Sequence, residues 1–485
     1  MQQFHHLLPQ PALGPRCVLL LLLLLGSPAE ATTVLRFDRE SPLTTTLTPR
    51  HTHQRPRSEP PSPPSPRAPR SLHRRGDSQF EITFSCPDSS PAICQYAQNS
   101  FERAGVYISS MITISTPIKV HATFKSFCNN QSLDSCSSRN ILGAAAPVAY
   151  FPARPTTSVA VANSPLAASW FLYPQALVKQ LHHDAPLEYA SFDILADFNA
   201  DIKTWWFKDS PTPIVANQTD FDFVITHELT HGLGWDTSLL SFDQVFTDVA
   251  SKTTPYVAPS MYFHGSTGKP VADAWTFLTS FDALIKDNNG RAVTDYLTPV
   301  QAWWGSAPPS DGDEPNVLTS IISQFEASGT PFSAAAALAK TIIAAPRSLK
   351  VNTNTSLFTV DDGKNTGFSS GSSITHLDYT RYENTPDFLM LPYDNDGRGV
   401  PLMDLVKKNG GTGVYGPETL QVMANMGWGT GGQPSSVSLT IGTGFQIGDT
   451  LSAAVKVRGG GGVSAGTTTA ATLAVVTALL LGLSP

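Results

Sequence analysis

Residues 227–235 read HELTHGLGW: two imidazoles four positions apart, a carboxylate beside the first, and glycines after the second. Positions i and i+4 share one face of a helix. His227 and His231 can therefore present ring nitrogens to one zinc ion while Glu228 points toward its bound water. The chemistry that follows is peptide-bond hydrolysis with Glu228 as general base. In a chain of 485 residues with 12 His, such a string arises by chance at roughly 1%, so its surroundings matter. Asp220 and Asp222 are N-cap candidates, and Phe223, Val224, Ile225 and Leu229 are apolar helix contacts. Gly232 and Gly234 end the helix just past His231.

A catalytic zinc takes three protein ligands and leaves a fourth position for water, so a further ligand is required. In the compact form HExxHxxGxxH the third histidine would stand at 237, where this chain has Thr237. Asp236 lies one residue earlier and is one candidate. His376 is another, in the segment GSSITHLDYTRYENTPDFLMLP at 371–392, where Met390 follows within an apolar run. Glu383 and Asp387 form an ExxxD pair, but Pro386 breaks the helix such a pair needs.

On these segments the chain resembles the leishmanolysin-like metzincins, zinc peptidases whose third histidine is displaced downstream into a GSxxH-type segment followed by a methionine-bearing turn. HELTHGLGW, GSSITHLDY and DFLMLP carry the resemblance, in patches over residues 197–428. The chain is also similar to secreted microbial proteins in which HELxHGLG precedes GSSxxHLD and a terminal GW, matched here by Gly427 and Trp428. The resemblance implies one catalytic Zn2+ held by His227, His231 and His376, Glu228 as base, and Met390 packed beneath the metal. It implies an α+β fold: a metzincin-like zinc peptidase domain with an HExxH active-site helix, a mixed sheet and a long insertion before the third ligand. The insertion must loop out, and its stretches 316–328 and 332–345 have helical spacing suited to a lid or substrate-binding subdomain. Whether the third ligand is His376 or Asp236 stays open.

The elements that must position these residues lie in the middle of the chain. Residues 1–31 read as a secretory signal peptide: Arg16, a short apolar run, then Ala29-Glu30-Ala31. Residues 32–76 are rich in Pro, Ser and Arg and have few large apolar residues, so they read as a loosely ordered pro-segment. That segment ends at the dibasic pair Arg74-Arg75; a plain basic linker is the alternative. A peptidase domain is expected over 77–430, with strands near 79–84 and 118–124 and a helix over 93–114. A stalk over 431–460 and a lipid-anchor attachment signal over 461–485 complete the chain, the latter a short apolar tail with no basic residue behind it.

Outside the signal peptide stand four cysteines. Cys86, Cys94, Cys128 and Cys136 allow three pairings, and the spacing favours Cys86 with Cys94 and Cys128 with Cys136. Sequons at Asn130, Asn217 and Asn354 fit glycosylation in the secretory pathway. A net charge of -7 without a basic stripe excludes nucleic acid as an expected partner. The partners expected are a protein or peptide substrate and a membrane reached through the C-terminal lipid anchor, with the protein outside the cell. A non-catalytic surface adhesion protein that retains a zinc site is the competing reading. Trp205-Trp206-Phe207 and Trp303-Trp304 could line a substrate groove or fill the core.

Overall fold

The computed structural model describes residues 33–39, 48–53, 78–129, 136, 138, 140–157, 170–241, 257–259, 261–264, 271–275, 278–297, 329–330, 332–344, 346–352, 354–359, 372–392 and 399–442. Ten strands build the two sheets that frame the site: β1 (Thr33–Asp38), β2 (Thr48–His53), β3 (Phe80–Ser85), β4 (Ile118–Lys125), β5 (Gly143–Pro147), β6 (Ala149–Thr157), β7 (Phe171–Pro174), β8 (His182–His183), β9 (Ile194–Asn199) and β10 (Ser438–Ile441). The helices used below are α1 (Pro91–Ser109), α2 (Phe221–Gly232), α3 (Phe332–Ala344), α4 (Leu402–Lys408) and α5 (Pro417–Met426).

The first sheet has the order β3-β4-β9-β5. β3, β4 and β9 are parallel, and β5 joins β9 antiparallel at the edge. Along β4 the buried residues alternate as Ile118, Val120, Ala122 and Phe124, the period of a strand with one face against the core. α1 begins where Ser90 caps the Ile93 amide and Pro91 occupies the first turn. It buries Ala97, Phe101, Ala104 and Ile108 at helical spacing. Phe101, Phe124, Phe198, Phe207 and Phe221 pack edge-to-face or tilted between this sheet and the helices. Trp205, Trp206 and Phe207 are buried in this core, and the Trp205 indole N–H donates to Asn199 O. They are core residues; Trp303 and Trp304 lie outside the described residues.

Sequence expectation and structure differ at both ends of the domain. Residues 32–76 are expected to be loosely ordered, yet β1 and β2 form an antiparallel ribbon, and β1 adds to β6 through Phe37 opposite Tyr150 and Asp38 opposite Ala149. Adding a strand to an open sheet edge satisfies backbone groups without a large apolar face, so low hydrophobicity did not forbid it. β10 likewise pairs with β6 and β8. The fold therefore runs past 430 to Ile441, into the expected stalk. α3 occupies the helix expected over 332–345, whereas 316–328 lies outside the described residues, as do 1–32 and 443–485.

α2 is buried along its whole length and packs against α1, β5 and β9. Its N-cap is Asp220, which accepts from Asp222 N at 3.0 Å and from Leu402 N at 2.6 Å, the latter tying α4 to the helix start. Arg103 of α1 grips both carboxylate oxygens of Asp222 at 2.7 and 2.8 Å. Burial, and then the neighbouring Asp222 charge, raise the Asp220 carboxyl to about 7. A carboxyl raised in the folded state favours folding while protonated and stops doing so as pH rises through its folded value. Between about pH 4 and about pH 7 wild-type stability should therefore fall with pH more steeply than that of Asp220→Asn, which keeps the cap. Equal melting-temperature slopes for the two proteins across that window would contradict the assignment.

Candidate metal centre

α2 carries His227, Glu228 and His231, and it ends where Leu233 takes the C-cap and Gly234 turns the chain at φ +108. A Cβ at Gly234 would stand 2.6 Å from Pro174 Cγ, so both conformation and space demand glycine. The turn sends Trp235, which is fully buried, across to the segment that holds His376. There the Trp235 indole N–H donates to Thr375 O at 2.8 Å. His376 sits in a tight turn in which Ile374 adopts φ +77, a strained conformation for a β-branched residue. The turn is held by Ile374 N donating to Phe358 O, Phe358 N to His376 O, and Leu377 N to Met390 O.

The three imidazoles are buried and converge through their Nε2 atoms. His227 and His231 are 3.2 Å apart, His227 and His376 3.2 Å, and His231 and His376 3.3 Å. Each Nδ1 faces a carbonyl oxygen: Leu389 O for His227 at 2.7 Å, Trp235 O for His231 at 2.6 Å, and Ser372 O for His376 at 2.9 Å. A carbonyl accepts only, so each Nδ1 carries the proton and donates, and each Nε2 presents a lone pair toward the other two. Burial lowers the His231 pKa, opposed by the bond to Trp235 O and by the Asp236 charge. Three buried lone pairs at such range repel one another, and a shared cation is what relieves them. Among the described residues this is the group of His, Cys, Asp and Glu side chains that could hold a metal ion.

Glu228 is fully buried. Its Oε2 accepts from Ala145 N on the edge strand β5 at 3.0 Å, while Oε1 has no hydrogen-bond partner among the described residues. Burial raises the Glu228 carboxyl to about 8, with the Ala145 N–H acting in the opposite direction. A cation beside it would favour the carboxylate.

The other candidate ligands stand elsewhere. Asp236 Oδ2 accepts from Tyr150 Oη at 2.7 Å and from Arg39 Nη2 at 2.9 Å, and it is not part of the histidine group. Asp387 accepts from Thr419 N at 2.7 Å at the start of α5, and Glu383 caps the one-turn helix Tyr379–Tyr382. Met390 is fully buried in the 3-10 turn Phe388–Met390, which packs against α2. Cys86 pairs with Cys94 and Cys128 with Cys136. Asn217 and Asn354 are exposed, and Asn130 lies outside the described residues.

The carbonyls of Leu389, Trp235 and Ser372 and the amide of Ala145 are part of the site, and the sequence reading did not single them out. Backbone groups leave no trace in residue type. Trp235 alone had a signal, as the apolar end of HELTHGLGW.

A family model described as SPBPB7E8-like matches residues 69–440, which include α2 and the His376 turn but not β1 or β2. Uncharacterized protein PB7E8.01 of Schizosaccharomyces pombe is 25% identical over 345 residues, 67% of this chain and 57% of the yeast protein. The chain thus spans little more than half the length of that relative. No solved structure matches the chain. With the family model covering the fold from β3 into β10 and every residue of the histidine group, the chain belongs to the SPBPB7E8-like family.

Proposed function

We propose that the chain is a zinc-dependent endopeptidase of leishmanolysin-like arrangement, with His227, His231 and His376 as metal ligands and Glu228 as general base. The observation that carries this reading is the Nε2 triangle with edges of 3.2, 3.2 and 3.3 Å. A tetrahedral zinc with bonds of about 2.0–2.1 Å to nitrogen has ligand-to-ligand edges of about 3.3 Å, and that match supports zinc as the ion. Neutral imidazoles suit zinc, as they do copper, iron and nickel, and disfavour magnesium and calcium. When bound, zinc acidifies water and polarises a substrate carbonyl.

The chain's own groups do the rest. The three carbonyl oxygens fix ring orientation and tautomer, which raises ligand basicity. Ala145 N–H anchors Glu228 through Oε2. The unpartnered Oε1 is then the atom that accepts a proton from the attacking water and returns it to the leaving amine. A closed structural zinc site has four protein ligands and no use for a buried base; among the described residues this group has three. The disulfide pairs and the exposed sequons at Asn217 and Asn354 support a secretory, extracellular setting. Surface attachment through a lipid anchor rests on the sequence of 461–485 alone.

Casein cleavage by the purified chain tests the reading. A zinc chelator is expected to abolish it, and one equivalent of zinc to restore it. Cleavage that persists after metal analysis shows no remaining zinc would overturn the proposal. A zinc-loaded chain that cuts neither casein nor a peptide library would leave the adhesion reading in its place.

A further inference from the structure

β1 belongs to the part of the chain that precedes the dibasic pair Arg74-Arg75 and lies outside the family match. It is nonetheless seated in the domain by three kinds of contact. Its backbone continues the β6 edge next to β10, and Arg39 N donates to Val148 O at 2.7 Å. Arg36 is buried and its Nη1 donates to Glu188 O at 2.8 Å. The Arg39 side chain, 8% exposed, pairs with Asp236 at 2.9 Å. The same Asp236 oxygen accepts from Tyr150 Oη, and the Arg39 guanidinium lies 5.8 Å from the Tyr150 ring centre.

These contacts are unlike those of a segment designed to leave. Pulling β1 away removes the Arg39 partner of the Asp236 carboxylate, leaving its bond to Tyr150, and uncovers the backbone at 148–150, where β6 begins. Asp236 also directly follows Trp235, whose carbonyl accepts from His231. The anchor thus sits behind the His231 ring, on the side of Nδ1, and not on the Nε2 side where the three rings converge.

We propose that β1 and β2 are retained as a noncovalent clasp when the chain is cut at the dibasic pair, giving a two-chain protein whose smaller chain carries this β-ribbon on the edge of β6. The partner for this edge is therefore the chain's own N-terminal segment. The inference is independent of whether the histidine site is catalytic.

The test replaces residues 72–76 of the full chain with the recognition sequence of a site-specific protease. After cleavage, the fragment upstream of the cut is followed by native size-exclusion chromatography and mass spectrometry. The fragment is expected to elute with the domain and to separate only in denaturant. Arg39→Ala should speed its release by about 10- to 100-fold, the range of a lost charged hydrogen bond. Arg39→Lys, which keeps the charge but not the fork, should fall between. Separation of the wild-type fragment on the first native column would overturn the proposal, as would equal retention of the wild-type and Arg39→Ala fragments. If Arg39→Ala prevents folding, the wild-type cut and Arg39→Lys still decide.

Discussion

Glu228→Gln is expected to bind one zinc as the wild type does and to cleave casein about 10²- to 10⁴-fold more slowly, the usual contribution of a positioned acid–base group. Glutamine preserves size and keeps an oxygen for Ala145 N–H, the contact that holds Glu228 Oε2 at 3.0 Å. What it removes is proton acceptance at Oε1, the buried oxygen with no partner among the described residues. The two measurements separate the alternatives. Wild-type cleavage by the variant sinks the assignment of the base. Loss of zinc together with activity would instead make Glu228 a ligand. Protein stability should not fall, because replacing a buried carboxyl with an amide removes a group whose ionisation burial opposes.

The second large effect concerns the third ligand. His376→Ala should lower zinc affinity by well over the 10- to 100-fold typical of a lost outer partner, leaving substoichiometric metal after dialysis. Asp236→Asn should retain one zinc per chain. Asp236 is turned toward Arg39 and Tyr150, and the Nε2 atom of His376 is the one within 3.2 and 3.3 Å of its two companions. Loss of zinc from Asp236→Asn with retention in His376→Ala reverses the scheme. A further check comes from Trp235→Phe, which removes the indole donor to Thr375 O but keeps the backbone carbonyl for His231. Its effect on zinc should be smaller than that of His376→Ala.

Much of the frame is legible in residue order. Ser90 and Pro91 mark the start of α1, although the spacing alone placed it at 93. The helix stops at Ser109, not at 114, because Ile112–Thr113 pairs with Gly429–Thr430 from the far end of the chain. Long-range pairing overrides local periodicity there. The same cause explains β1: the stretch 32–76 has the composition of a linker, and only an open edge on β6 converts part of it to strand. Trp205-Trp206-Phe207 was ambiguous between groove and core because an aromatic cluster serves either. Packing of Phe207 on Phe221 at the head of α2 decided it.

The pairing of His227 with His231, the carboxylate beside them and the glycine that ends their helix were determined by the sequence itself. An α-helix sets its own spacing through local hydrogen bonds, so residues four apart must share a face whatever surrounds them. The third imidazole was a different matter. His376 is 145 positions from His231, and no local rule carries information over that interval. Only the packed chain, with Trp235 reaching Thr375 and the Met390 turn meeting both α2 and Leu377, brings the rings together and turns Asp236 away. Contacts distant in sequence depend on the whole fold closing, and that is where His376, and not Asp236, joins His227 and His231.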